Sequence, residues 1–305
     1  MNKQKIAIIT DSGTNVPAAF AKHYDVKILP LQITYHDESF LSGVDITSEE
    51  VVKRLETEIP TTSLPAPHSI KEVLESCKKE GYEKAVIVTI SSGLSATFQT
   101  CQLIAEQIED FPCAVVDTKS IGVAAGLTVM NAALMADADT TPFEELPARL
   151  EALAENTLVL FAVKTLELLH KGGRITESQF RLGSILNIKP IFECDQNGRY
   201  NTVKKVRGWE KTVTTMQHLI AEKAKEFADV VVGYCAGEKT APMKQWGSEL
   251  KKLVPHCKGL IMSGVTPDLL VHTGPSLIGF CVQPLTPEMQ VYLDQHKGIV
   301  DAFSA

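Results

Sequence analysis

Through the first half of the chain, apolar runs alternate with apolar positions at helical spacing. The runs at 5–10 (KIAIIT), 26–34, 84–90 (KAVIVTI), 114–117 and 157–163 read as buried strands. Between them, Ile70, Val73, Leu74 and Cys77 recur at i, i+3, i+4 and i+7, one face of a helix that Gly81 ends. Phe98, Cys101, Leu103, Ile104 and Ile108 mark a helix over 95–109, and 122–136 reads as a helix of small residues. Thr47 with Glu50 and Ser69 with Glu72 have capping-box spacing and predict helix starts, the first helix running to about 58. Thr141, Pro142 and Glu144 predict another. This alternation predicts a parallel sheet with helices on both faces.

The second half has a different pattern. The segment 171–174 (KGGR) interrupts a short helix. Strand-like runs at 188–194 and 199–206 flank 195–198 (DQNG), a hairpin signal. Val213, Met216, Ile220, Ala224 and Phe227 trace the buried stripe of a long helix, and 229–235, 259–262, 269–273 and 277–282 read as strands. The fold class is therefore α/β in two domains, with a boundary near residue 160. An N-terminal parallel sheet flanked by helices occupies 1–160, and a mixed α/β domain occupies 161–305. No internal repeat or low-complexity segment is present.

Composition narrows the function. The 305 residues carry a net charge of −7 and are 44% hydrophobic, the profile of a globular protein. The acidic balance argues against nucleic acid or an anionic membrane as a general partner. Seven cysteines without CxxC spacing predict reduced, mostly buried thiols in a cytoplasmic protein, with no zinc-ligand pattern. The opening MNKQKIAIITDSG reads as a first strand rather than a signal peptide, and no apolar stretch has the length of a membrane span.

Five stretches carry candidate chemistry. The segment 89–98 (TISSGLSATF) joins a strand to a helix. Unpaired N–H groups at a helix start favour an anion, and Ser91, Ser92, Ser95 and Thr97 add hydroxyls. Ser95 can equally cap its own helix. As a hydrolase nucleophile it lacks the second glycine of G-x-S-x-G, since Thr97 stands there. No GxxxxGK[ST] phosphate loop occurs. The segment 61–67 (TTSLPAP) sets three hydroxyls before two stiffening prolines. Asp11 and Ser12 end the first strand, where α/β sheets bind ligands. Arg174 leaves a glycine pair and can pair with phosphate or carboxylate. His272, in 271–275 (VHTGP), follows an apolar pair at a predicted strand end; a structural role and a pairing with a carboxyl group both fit it.

Taken in order, ITDSG (9–13), TTSLP (61–65), ISSGLSATF (90–98), VDTKS (116–120), LHKGGRI (169–175), LGSILNIKPI (182–191), KVRG (205–208) and VHTGP (271–275) span nearly the whole chain. The set resembles the DegV family, and within it the fatty-acid-binding subunits of bacterial fatty acid kinase. The resemblance implies two α/β domains around an apolar tunnel that holds a long-chain fatty acid with its carboxyl group near the surface. It implies a partner, the kinase's ATP-binding subunit, which brings ATP and Mg and converts the carboxyl group to an acyl phosphate. This chain would itself be non-catalytic. Transient membrane contact fits such a carrier; nucleic acid and an intrinsic metal do not. By motif position, Thr62 and Ser95 lead as carboxyl ligands, followed by Ser63, Ser92 and Gly93, with His272 beside them. Arg174 matches an arginine near the phosphoryl-transfer site, and Arg207 one at the kinase-docking surface. Leu64 and Ala96 depart from the family's usual glutamine and glycine, which leaves chain selectivity open. The alternatives are a carrier of another hydrophobic acid without kinase coupling, and a Ser95 hydrolase.

Overall fold

The run at 6–11 is buried at every position and forms an inner strand of an all-parallel sheet. The computed structural model describes residues 1–183, 187–238 and 241–302, with the side chains of 182–183 and 241–244 left aside. Residues 184–186 of the LGSILNIKPI motif therefore lie outside the described residues. In chain order the strands are β1 (Ile6–Asp11), β2 (Lys27–Leu29), β3 (Gln32–Thr34), β4 (Ser39–Leu41), β5 (Thr61–Ser63), β6 (Lys84–Thr89), β7 (Cys113–Asp117), β8 (Leu158–Ala162), β9 (Ile188–Cys194), β10 (Tyr200–Arg207), β11 (Val230–Ala236), β12 (Cys257–Gly264), β13 (Ile278–Pro284) and β14 (Ile299–Asp301). The helices are α1 (Ala18–His23), α2 (Ser48–Arg54), α3 (Pro67–Lys79), α4 (Thr97–Ala105), α5 (Gly122–Ala138), α6 (Leu146–Glu155), α7 (Glu167–Lys171), α8 (Glu177–Gly183), α9 (Trp209–Ala224), α10 (Ala241–Leu253), α11 (Pro267–Thr273) and α12 (Pro287–Gln295).

Three sheets result. The first, β2-β1-β6-β7, is parallel throughout, as the alternation predicted, but the strand expected at 157–163 is not part of it: β8 lies in the second sheet, antiparallel to β13 and β9. The second, β10-β9-β8-β13-β11-β12-β14, is mixed: β11, β12 and β14 run parallel, and the other neighbours pair antiparallel. A small antiparallel sheet, β4-β3-β5, carries the TTS segment. By sheet membership the chain passes from the first to the second sheet between β7 and β8.

Side-chain alternation stacks these layers. Ala7, Ile9, Ala85 and Ile87 pack with Ile70, Leu74 and Cys101 of α3 and α4. Their neighbours Ile6, Ile8, Val86 and Val88 point the other way, toward α5. The mixed sheet repeats the pattern. Phe161, Val231 and Cys281 join the α5 cluster, whereas Leu160, Val232, Tyr234 and Phe280 pack with Val213, Met216 and Ile220 of α9. Helix α5 is thus the middle layer between two sheets, and it is buried continuously from Gly122 to Ala136. Its largely apolar composition, with many alanines, suits a helix with no solvent face, and its buried Thr128 and Asn131 pair with Gln283.

The structure corrects several sequence expectations. The strand expected over 26–34 is two strands in different sheets, split at Pro30, which lacks an N–H and fixes its own φ. The strand expected at 269–273 is helix α11: Pro267 at its first turn starts a helix, and a short apolar run does not distinguish strand from helix. Helix α3 starts at Pro67 rather than at a Ser69 cap, α4 at Thr97 rather than Ser95, and α6 at Leu146, beyond Pro142. The capping box at Thr47 and Glu50 is present with both of its bonds.

Leu127 is fully buried in α5. Leu127→Ala should cost about 2–5 kcal/mol in urea unfolding, because the cavity it leaves is walled by core on both sides. An unchanged midpoint would show that α5 is not the common support of the two sheets.

Candidate functional site

Segments far apart in sequence meet at one cavity. Strand β5 brings Thr62 and Ser63, with Leu64 just after it. The loop after β6 brings Ile90, Leu94 and Ser95. Ile121 precedes α5, and Asp268, Leu269, His272 and Thr273 come from α11. Arg174 follows α7, Tyr200 opens β10, and Leu31 precedes β3. Apolar side chains line much of the wall, and hydroxyls, one imidazole and one guanidinium supply most of its polar atoms. The enclosed volume is about 50 Å³, room for a water or two. Among the described residues this cavity does not open into the long tunnel that the resemblance implies. Phe161 stacks on Phe192 at 5.2 Å and meets Tyr200 at a tilt, at 4.7 Å, so apolar side chains fill the region beyond Tyr200 with each other.

Thr62 is held by strand pairing, opposite Ile33 of β3. Its Oγ1 lies 2.6 Å from Nε2 of His272, in the last turn of α11. His272 Nδ1 is buried without a partner. Burial, aided by the nearby charge of Arg174, pushes the imidazole pKa down to about 3, so the ring is neutral at physiological pH. The glycine pair of KGGR has a specific purpose here. A Cβ on Gly172 would stand 2.3 Å from His272 Nδ1, so only glycine lets α7 approach the ring.

Arg174 is half-buried and donates through Nη1 to the carbonyl of Gly172. Among the described residues no carboxylate forms an ion pair with it. Burial holds its pKa below the ordinary arginine range. Ser95 Oγ bonds Thr97 Oγ1 at 2.8 Å and accepts from the Thr97 N–H at 3.3 Å. Its partner is therefore a threonine, and His272 is engaged with Thr62. The serine–histidine hydrogen bond that activates a hydrolase nucleophile is not formed. Ser63 lies at the exposed edge, with its hydroxyl bonded to Gln32 at 3.3 Å.

Ser92 and Gly93 do not line the cavity. The Ser92 N–H donates to Asp117 at 3.1 Å, and the Gly93 N–H to Ser91 Oγ at 3.0 Å. Ser91 Oγ in turn donates to the carbonyl of Gly198, at 2.7 Å, in the DQNG turn. A Cβ on Gly93 would stand 2.5 Å from the carbonyl oxygen of Asn197. These residues therefore seat the β9–β10 hairpin on the SSG loop, which places Tyr200 at the cavity. Asp11 is also absent from the lining: it accepts from the N–H groups of Gly13 and Ile90 and ties the end of β1 to the end of β6. Arg207 lies elsewhere, exposed at the end of β10 beside Lys204 and Lys205.

A family model described as an uncharacterised protein, DegV family, matches residues 5–285. The chain belongs to the DegV family. A DegV domain-containing protein of Clostridium acetobutylicum is 32% identical over 280 residues, 90% of this chain and 98% of that one. A solved DegV family protein from Thermus thermophilus, reported with fatty acid binding, superposes with a TM-score of 0.82 at 26% identity, covering 92% of this chain and 99% of its own. A stearic-acid-binding protein from Eubacterium ventriosum gives a TM-score of 0.80 at 25% identity, covering 93% and 98%.

In this DegV chain, sequence reasoning missed Asp268, Tyr200 and the apolar wall residues Leu31, Ile121 and Leu269. Asp268 and His272 are four residues apart, a spacing that puts them on one helix face. Reading 269–273 as a strand concealed it.

Two measurements test the polar rim. Gly172→Ala should displace the His272 ring and raise its NMR titration toward the ordinary histidine range; an unchanged titration would show that the contact is not needed. The second is pH dependence. A base with a depressed folded pKa stays neutral in the fold, while the unfolded chain protonates below about 6.5. Its stabilisation is therefore full above that pH and is lost as pH falls toward about 3. The unfolding free-energy gap between wild type and His272→Gln should narrow by on the order of 2 kcal/mol between pH 7.5 and 5. A gap independent of pH would mean the ring is protonated in the fold.

Proposed function

We propose that this chain is a fatty-acid carrier that presents the lipid's carboxyl group to a partner kinase. The observation that carries this reading is Arg174. A half-buried guanidinium without an acid partner is unfavourable unless an anion meets it. It lines a cavity whose other polar groups include the hydroxyls of Thr62, Ser63 and Ser95 and a neutral imidazole. Such groups suit a two-oxygen anion attached to an apolar chain. Solved relatives described as binding fatty acids support the reading.

Burying an alkyl chain contributes about 0.8 kcal/mol per CH₂, so a C16 chain has strong cause to enter an apolar interior. Pockets for drug-sized ligands run about 300–1,000 Å³. The 50 Å³ cavity is therefore the carboxyl end of the site, and the tail enters as the aromatic and aliphatic side chains between α5 and the mixed sheet part. Both halves of the chain, 1–160 and 161–305, contribute to the carboxyl site in this reading.

The phosphoryl step belongs to the kinase, which brings ATP and Mg. The lipid carboxylate attacks the γ-phosphorus, the bond to the β-phosphate oxygen breaks and ADP leaves on the kinase, while Arg174 offsets the charge on the transferring group. Docking uses the exposed basic end of β10. Arg207 lies seven residues beyond Tyr200, roughly 23 Å along the strand, which leaves the mouth free for the kinase active site. A carrier of another hydrophobic acid would keep the same cavity and lack the docking partner.

Native mass spectrometry of the purified protein should show a one-to-one adduct with palmitate. Arg174→Ala should weaken that adduct and, with palmitate in excess so that the site is filled, lose acyl phosphate formation when the ATP-binding subunit and Mg-ATP are added. An empty protein that takes up no palmitate would end the carrier reading. Full phosphorylation by Arg174→Ala would remove the assigned role of that residue.

A further inference from the structure

Two buried carboxyl groups stand together behind the polar rim. Asp11, at the end of β1, is fully buried, and Asp268, in the first turn of α11, is 1% exposed. Both converge on Gly13. A Cβ built there would lie 3.2 Å from Asp11 Oδ1 and 3.2 Å from Asp268 Oδ2, so the two oxygens face each other across a gap of about one methyl group.

Their hydrogen bonds differ. Asp11 accepts a backbone N–H on each oxygen, from Gly13 at 3.0 Å and Ile90 at 2.8 Å. Asp268 Oδ1 takes the Ser42 hydroxyl. Its Oδ2 has no hydrogen-bond partner, and burial outweighs the lowering effect on its pKa of its own N–H and of the nearby Ser12 and Thr266 hydroxyls. Two carboxyl groups so placed, away from water, do not both ionise at neutral pH. Burial raises both above the ordinary range, and the nearness of the two carboxyl groups adds to the effect on Asp11, which reaches about 7; the pair shares these titrations, so neither value belongs to one residue alone. N–H donors stabilise an ionised carboxylate, so the anion belongs on Asp11 and the proton on Asp268.

Few other charges face the pair. His272 is neutral, and Arg174 is the cation at the cavity. On α2, Glu49, Glu50 and Lys53 are exposed and Arg54 pairs with Glu38. On α7, Glu167 pairs with Lys171, and His170 with Glu177. Strands β3 and β5 and the turn at 12–14 carry no charged residue.

We infer that Asp268 keeps the single proton of this pair at neutral pH and offers it through Oδ2 as a hydrogen-bond donor to the guest's carboxylate. Asp268 lines the same cavity as His272, one helical turn before it on the same face. The donor role rests on the guest being a carboxylate, as proposed above. It has a consequence for affinity. As pH rises and the pair loses its proton, a second buried negative charge forms and repels the incoming anion. Binding weakens toward alkaline pH, by up to about tenfold per pH unit beyond the titration.

Infrared spectroscopy tests the proton directly, without ligand. Wild type at neutral pH should show the carbonyl stretch of an un-ionised carboxyl group, and Asp268→Asn should lack it. Absence of the band from wild type overturns the inference, as does a band that survives Asp268→Asn and disappears in Asp11→Asn. Palmitate affinity measured from pH 6.5 to 9 tests the donor role. The wild-type affinity should fall with pH, and Asp268→Asn should lose that slope; comparing the two cancels palmitate's own titration. An Asp268→Asn protein with the wild-type slope overturns the donor role. Failure of wild type to bind palmitate at any pH overturns the fatty-acid reading and the donor role with it, while the infrared band decides the proton by itself.

Discussion

Helix α5 has no solvent face over most of its length, and the layers on both sides depend on that. The parallel sheet turns Ile6, Ile8, Val86 and Val88 toward it, and the mixed sheet turns Phe161, Val231 and Cys281 toward it. A helix buried on every side has to be largely apolar and rich in small residues, because two sheets must approach it at once, and its few polar side chains must be paired, as Asn131 is with Gln283. The two sheets therefore share one core. The cavity lies beside the start of this helix, at Ile121, so the packing that joins the sheets also sets the distance between the site's two walls.

The site places polar groups at the end of an apolar interior. Each polar group is held by a different device. Strand pairing fixes Thr62, a helix turn fixes His272, a glycine contact admits the imidazole, and the hairpin seated on the SSG loop brings Tyr200. Burial then sets protonation. It keeps His272 neutral and raises Asp11 and Asp268, while Arg174 retains the positive charge. An interior prepared in this way favours an anion whose remainder is apolar. It disfavours a free inorganic ion, which would gain nothing from the apolar wall.

Several site residues were legible in the sequence because their chemistry sits in short ordered motifs. Thr62, Ser63, Ser95, Arg174 and His272 were singled out there and line one cavity. Ser92 and Gly93 were singled out too, but their hydrogen bonds run to Asp117 and Ser91, and the glycine's bareness serves the hairpin. A motif marks a loop as special without saying which of its atoms face the ligand. Asp268 went unseen because an apolar run of a few residues fits strand and helix equally, and only the helical reading puts it one turn from His272.

The sequence by itself determined the parallel pairing of the first sheet, the small-residue helix over 122–136 and the hydroxyl-rich ends of strands. These follow from local periodicity and side-chain chemistry, which need no knowledge of distant partners. Tertiary structure alone decided the split of 26–34 between two sheets, the meeting of Thr62 with His272, and the convergence of Asp11 and Asp268 on Gly13. The reason is physical. Such contacts join residues up to 257 positions apart in the chain, and their energies depend on burial and on the neighbouring charge, quantities that exist only once the layers have packed.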